Sequence, residues 1–166
     1  MTEQRYKFKL ALSPHEVKAY FELRRAIFCH EQKLFTDSDE DEIDSYAYPI
    51  VAIDCEAASL NQVVGVVRIY ESQPGLWYGG RLGVHQDYRR GGQIGKGLIY
   101  KAVTTANTWG CERFLATVQL QNVRFFQRLH WQPLEEIAIC VNPTDPKQLP
   151  HQLMVADLNY YPPALL

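Results

Sequence analysis

Apolar and polar residues alternate from Arg5 to Ala11, a period of two that predicts a β-strand. The pattern changes at Ser13-Pro14, where a hydroxyl residue followed by proline predicts a helix start, with Ser13 as N-cap and Pro14 at the first position. Val17, Tyr20, Phe21, Arg24, Ile27 and Phe28 then fall on one helical stripe. Tyr48 to Cys55 and Gln62 to Tyr70 are β-branched runs joined by a polar turn near Ser59-Leu60-Asn61, which predicts an antiparallel pair. Leu76 to Val84 predicts a further strand. Gly92 to Trp109 predicts a long helix that buries Ile94, Leu98, Ala102, Val103 and Ala106 and ends at Gly110. Arg113 to Gln119 predicts a strand and Asn122 to Leu129 a short helix. Trp131 to Cys140 and Gln152 to Leu158 predict two closing strands.

The resulting order is β-α-β-β-β-α-β-α-β-β, with room for another short helix before residue 45. It predicts a mixed α/β (α+β) layer fold, a largely antiparallel central sheet of about six to seven strands flanked by helices. At 166 residues the chain is expected to be one domain, 1–166. Thr36 to Asp44, nearly all acidic, and Val141 to Pro150, with three prolines, are expected to be loops within it. A net charge of −2 argues against a phosphate-tracking nucleic-acid binder. The polar start, Met1 to Lys9, and the absence of a long apolar run argue against a signal segment or membrane span. Cys29, Cys55, Cys111 and Cys140 lack metal-ligand spacing, so they predict buried thiols in a reducing cytoplasm and no metal site.

The densest chemical signal runs from Gly83 to Leu98, where a strand end meets a glycine-rich turn and a helix start. Backbone N–H groups left unpaired there, with the positive end of a helix dipole behind them, suit a phosphate or pyrophosphate. Arg89 and Arg90 add charge, and Gly91 and Gly92 allow close approach. Only Gln93 and Ile94 separate Gly92 from Gly95-Lys96, and Gly97 stands where a nucleotide-triphosphate loop carries Ser or Thr; such a loop is excluded. A dinucleotide fingerprint fails as well, because Tyr100 occupies its third-glycine place. The remaining pattern, Arg90-Gly91-Gly92-Gln93-Ile94-Gly95, resembles the pyrophosphate turn of the GNAT superfamily of acyl-CoA-dependent N-acetyltransferases. The departure is Gln93 at the usual first-glycine position.

A second segment, Gln119 to Trp131, resembles the other GNAT signature: a strand, a polar residue, and a short helix with an aromatic pair. Phe125 and Phe126 match the pair, and His130-Trp131 stand where Gly-Phe is usual. Gln119 fits the polar position by spacing and Asn122 by residue type. The resemblance covers the whole chain and implies acetyl-CoA as co-substrate. It would be held by Leu82, Gly83, Val84, Arg89, Arg90, Gly91, Gly92, Gln93, Ile94, Gly95 and Lys96, with Asn122, Phe125 and Phe126 along the pantetheine arm. The family commonly carries Tyr at the position of Phe126 to protonate the departing thiolate. A thiolate with an ordinary pKa of about 8.5 can leave without a dedicated acid, and Tyr88, Tyr78 or water are alternative donors.

Six carboxylates crowd the eight residues Asp37 to Asp44. Most are expected to be solvated, with one or two facing a cationic acceptor. Arg24 to Gln32, with Asp41 and Asp44, resembles two GNAT subgroups. One comprises small bacterial acetyltransferases with a Phe-x-x-Glu-Gln sequence. The other comprises the acyl-homoserine-lactone synthases, which place an Arg, a Phe, two Asp and a later Arg as Arg24, Phe28, Asp41, Asp44 and Arg68 stand here. Arg24, Phe28, Asp41 and Asp44 are therefore the expected acceptor contacts. The central turn favours the first subgroup.

The implied reaction is direct attack of a primary amine, from a small molecule or peptide, on an acetyl thioester. The Val84 N–H is expected to steady the developing oxyanion. An amine arrives mostly protonated, with a pKa of about 10, so Glu31, Glu71 and His85 are candidate bases. A longer-chain acyltransferase and a non-catalytic acetyl-CoA sensor are the alternatives, the sensor supported by Gln93 and Phe126. Many members of the family are dimers, so a homodimer is an expectation. His15 and His30 are expected to be exposed, His151 to cap a loop, and Trp77 and Trp109 to be core.

Overall fold

The computed structural model describes residues 4–57, 62–139 and 149–163. The order of elements follows the sequence pattern closely: β1 (Tyr6–Leu10), α1 (Pro14–Arg25), β2 (Tyr48–Asp54), β3 (Gln62–Gln73), β4 (Leu76–Val84), α2 (Gln93–Thr108), β5 (Arg113–Gln119), α3 (Val123–Arg128), β6 (Trp131–Ile139) and β7 (Leu149–Ala156). The strands form one seven-stranded sheet in the order β1-β2-β3-β4-β5-β7-β6. It is mostly antiparallel, with parallel pairing between β4 and β5 along Leu76 to Tyr78. With its three α-helices this is the mixed α/β fold the sequence predicts.

Two compact units divide the chain: Met1–Tyr70 with Arg81–Ala102, and Glu71–Gly80 with Val103–Leu166. In the first unit α1 starts as predicted. Ser13 Oγ accepts the Glu16 N–H at 3.1 Å while Glu16 Oε1 accepts the Ser13 N–H at 3.2 Å, a reciprocal capping box. Past Arg25 the helix widens into a π-helical segment, Ala26–Glu31. Its buried residues Ile27 and Phe28 join Tyr20, Leu23, Val51, Ile53, Val63 and Val66 in one apolar cluster. The short helix expected before residue 45 is a single 3-10 turn, Glu42–Ser45.

Two glycines permit contacts that a side chain would block. A Cβ on Gly97 of α2 would lie 2.1 Å from Phe8 Cζ, and one on Gly65 of β3 would lie 2.8 Å from Leu98 Cδ1. Helix and sheet therefore approach each other at backbone distance.

In the second unit Gly75, at φ +79°, follows Pro74 in the two-residue turn between β3 and β4. Pro then Gly at the centre of a turn is the type II preference. Phe114, Phe126 and Trp131 pack edge to face, and the buried Tyr161 hydroxyl accepts from Trp131 Nε1 at 3.2 Å and donates to the Leu129 carbonyl.

Several expectations need correction. β7 starts at Leu149, so His151 is a buried strand residue rather than a loop cap. The expected loop Val141 to Pro150 lies outside the described residues up to 148. Trp109, one residue past α2, is 42% exposed, although it still meets Trp77 at 5.8 Å. Cys29 and Cys111 are buried, but Cys55 follows the end of β2 and is exposed; Cys140 lies outside the described residues.

Candidate functional site

The glycine-rich turn belongs to the first unit. β4 ends at Val84, a 3-10 turn spans Gln86–Tyr88, a second spans Arg90–Gly92, and α2 begins at Gln93. Gly91 and Gly92 hold φ values of +81° and +69°, while Gln93 is ordinary right-handed helix. This accounts for the departure noted at Gln93. The left-handed residues come immediately before it, and Gln93 opens the helix instead of bending the turn. A Cβ built on Gly91 meets nothing within 4 Å, so the turn faces open space. Arg90 and Lys96 are exposed beside it, Ile94 and Gly95 are buried, and the first N–H groups of α2 have no acceptor within their own helix. The Gly92 N–H is already used, donating to the Arg89 carbonyl at 3.3 Å; the α2 N-terminus with its flanking cations is the donor set that fits a diphosphate.

Val84 supplies a second feature. The His85 N–H donates back to the Val64 carbonyl of β3 at 2.8 Å. Successive N–H groups of an extended chain alternate sides, so the Val84 N–H and carbonyl point away from β3. The Val84 carbonyl accepts from Arg89 Nε at 2.8 Å. The far end of Arg89 forms a two-point ion pair with Glu31, which ends the π-helical segment. Arg89 is thus engaged by protein groups, and its guanidinium holds the Glu31 carboxyl below its ordinary value.

The three candidate bases each have a local role. Glu31 is paired as described. His85 Nδ1 accepts the Asp87 N–H at 3.1 Å, capping the 3-10 turn. That bond assigns the neutral ring's proton to Nε2. In the second unit, Glu71 accepts the Gly75 N–H at 3.0 Å and fastens the hairpin at the start of β4. Tyr88, a candidate proton donor, instead donates to the fully buried Asp54 at 2.7 Å, and this bond raises its phenol. Asp54 also accepts from Arg5 Nε and Nη2, at 3.1 and 3.0 Å, and from the Glu56 N–H at 3.0 Å. The Arg5 contacts are the main cause of an Asp54 pKa of about 2.

The acidic segment is drawn inward by three arginines of the same unit. Arg24, fully buried, donates to Asp39 Oδ2 at 2.8 Å, to Asp44 Oδ1 and Oδ2 at 2.7 and 3.0 Å, and to the Tyr20 hydroxyl. Arg68 spans Asp41 and reaches Asp44. Arg81 donates to Asp39 Oδ2 at 3.1 Å and to its carbonyl at 2.8 Å. Burial opposes the charge on Asp44, yet the Arg24 bonds outweigh it and hold the carboxyl at about 2. Asp41 and Asp44 therefore sit in a balanced ion cluster, while Asp37, Glu40 and Glu42 are exposed. Phe28 lies in the apolar cluster, with the Arg81 guanidinium 6.0 Å from its ring. Sequence reading brought Arg24, Asp41, Asp44 and Arg68 forward but missed Asp39 and Arg81. Asp39 was hidden among its acidic neighbours, and Arg81 carried no signal beyond following Gly79-Gly80.

In the second unit α3 presents the aromatic pair. Phe126 is buried against Trp131 at 5.1 Å, Phe125 is half-buried, and Asn122 is exposed at the helix start. His130, with φ +69°, takes the left-handed conformation that glycine would adopt at the usual Gly-Phe place, and stacks on Tyr160 at 3.8 Å.

The sequence matches the profile of the acetyltransferase (GNAT) family over residues 15–131. The chain belongs to the GNAT family. It is an N-acyltransferase with the fold of many solved structures. A Lactobacillus plantarum protein assigned as an N-acetyltransferase candidate is 21% identical, with TM-score 0.74 over 92% of this chain and 98% of that one. Escherichia coli ElaA is 22% identical, with TM-score 0.73 over 92% and 99%. A chimera of the Vibrio cholerae spermidine N-acetyltransferase SpeG and hSSAT is 13% identical, with TM-score 0.69 over 95% and 98%. At these identities the GNAT likeness of the solved structures is one of fold. No curated protein sequence is significantly similar to the chain. No described helix of this GNAT protein is long and apolar enough to cross a membrane, and no metal-binding group occurs among the described residues.

Proposed function

We propose that this GNAT protein moves an acetyl group from acetyl-CoA to a primary amine of a small molecule or peptide, in the cytoplasm. The observation that carries the reading is the open turn at Gly91, followed by the α2 N-terminus and preceded by an outward-pointing Val84 N–H. Acetyl-CoA supplies a thioester whose carbonyl carbon accepts the amine and whose sulfur departs.

The residues of the chain have three tasks. The N–H groups at the α2 N-terminus, with Arg90 and Lys96, hold the diphosphate. Val84 donates its N–H to the carbonyl oxygen as negative charge develops there. The ammonium proton goes to His85, through water where needed. His85 is favoured over Glu31 because shifting its tautomer gives up one backbone hydrogen bond, whereas Glu31 is held by two charge-assisted ones. Glu71 keeps its hairpin role. With Tyr88 committed to Asp54, the departing sulfur takes its proton from solvent, which a thiolate permits.

A second reading is transfer of a longer acyl chain. Its support is the convergence of Arg24, Asp41, Asp44 and Arg68, the residues that resemble the lactone synthases. Calorimetric titration with acetyl-CoA, CoA and a long-chain acyl-CoA, followed by an amine panel, tests both. Micromolar binding of acetyl-CoA with turnover of an amine supports the first reading, and preference for the long chain supports the second. No binding of any of the three would overturn both.

A further inference from the structure

Arg81 is a non-glycine residue with φ +51° inside a β-strand. Left-handed backbone in an L-residue is unfavourable and persists only where surrounding contacts impose it. Here those contacts are visible. One edge of the Arg81 guanidinium grips the buried Asp39, with Nε to Asp39 Oδ2 at 3.1 Å and Nη2 to the Asp39 carbonyl at 2.8 Å, while Nη2 also reaches Asp41 Oδ2 at 3.4 Å. The guanidinium carbon lies 4.8 Å from the centre of the Phe35 ring and 6.0 Å from that of Phe28. Asp39 is itself fixed, 1% exposed, with the same Oδ2 accepting from Arg24 Nε at 2.8 Å. A left-handed residue inside a strand breaks the pleat and re-aims the residues that follow. In this chain those residues are Leu82, Gly83 and Val84.

We infer that Arg81 is a positioning residue: clamped by Asp39, it holds the left-handed kink that sets the orientation of the Val84 N–H toward the thioester oxygen. The inference rests on the acyl-transfer role proposed for Val84. It also gives the acidic segment a function different from acceptor binding. Asp39 anchors the strand that handles the acyl group, and Arg24 in turn anchors Asp39. The diphosphate turn is built from other residues, Arg90 to Gly95.

The test uses the full chain with Arg81→Lys, Arg81→Gly and Arg81→Ala. Lysine keeps the charge but loses the two-point grip; glycine tolerates the left-handed angle but no longer enforces it; alanine does neither. The expected order of kcat is wild type, then lysine, glycine and alanine, with a loss of about 100-fold for alanine, the scale of a small misplacement at a reacting centre. The Kd for CoA lacking an acyl group should stay within about threefold of wild type, since less than 1 kcal/mol separates those values. In ¹⁵N spectra the Val84 amide should shift in the glycine and alanine variants while those of Arg90 to Gly95 stay in place. A merely structural role would instead lower the melting temperature and leave kcat and the Val84 shift unaltered. Unchanged kcat in all three variants overturns the inference, and so does an unmoved Val84 resonance. A wild-type protein without turnover would count against the proposed function, and the Val84 resonance would then decide the clamp alone.

Discussion

Glu31 and Arg89 are joined at two points: Nη2 donates to Oε1 at 2.6 Å and Nη1 to Oε2 at 2.5 Å. The pair ties the end of the π-helical segment to the residue that also holds the Val84 carbonyl. It explains why a carboxylate follows Phe28 at that spacing without requiring it to act as a base. Both side chains are more than a third exposed, so the pair contributes at most about 1 kcal/mol to stability.

Glu31→Gln is therefore expected to leave folding nearly intact and to lower kcat by no more than about tenfold, the equivalent of 1.4 kcal/mol. The acid limb of the pH–rate profile should survive. A loss of that limb would identify Glu31 as the proton acceptor and displace His85.

The buried Asp54 makes stability depend on pH in a defined direction. Its folded pKa of about 2 is lowered chiefly by the Arg5 hydrogen bonds, with help from Tyr88. A depressed carboxyl stabilises the folded state above its unfolded pKa, and that contribution fades as pH falls from about 4 toward 2. The shift corresponds to about 2 kcal/mol. With Arg5 half exposed, Asp54→Asn should thus be destabilised by about 1–2 kcal/mol at pH 7, with the gap from wild type closing below pH 4. Denaturant unfolding at a series of pH values checks this; a constant gap would mean that Asp54 acts by shape rather than by charge.

Much of this was legible in the sequence because the signals were local. Ser13, Pro14 and Glu16 carry the start of α1 in adjacent positions, and the β-branched runs of β2 and β3 state their own period. β4 and β5 were placed to the residue. What escaped depended on partners far along the chain. No local pattern ties Asp39 to Arg81, 42 residues later, or Asp54 to Tyr88, 34 residues later. The acidic run read as a solvated face because composition counts charges without locating the arginines that neutralise them. The same blindness affected Gln93: a fixed motif spacing marked it as a departure, while the backbone had moved the left-handed positions to Gly91 and Gly92.

Gly97 offers a sign test of packing. At an exposed helix position Gly→Ala gains about 1 kcal/mol. Here the new Cβ would lie 2.1, 2.5 and 2.6 Å from three atoms of the Phe8 ring, so the ring must leave its place. Overpacking of that kind costs about 1–3 kcal/mol, and Gly97→Ala should be destabilising overall. Pairing it with Phe8→Leu should recover part of the loss. Additive losses in the double variant would show that Phe8 is not the obstacle.

His85 has a cap to lose as well as a proton to accept, and the two can be separated. Nδ1 accepts the Asp87 N–H, so an asparagine whose amide oxygen takes the same place preserves the cap, while alanine removes it. Neither variant can accept the ammonium proton. His85→Asn should therefore keep the melting temperature and lower kcat by about 10²–10⁴, the usual worth of a general base. His85→Ala should show the same kinetic loss together with about 1 kcal/mol of destabilisation. For both, raising the pH toward the pKa of the acceptor amine should restore turnover, because the amine then arrives already deprotonated. An Asn variant with wild-type kcat at neutral pH would confine His85 to capping the turn and leave proton removal to solvent.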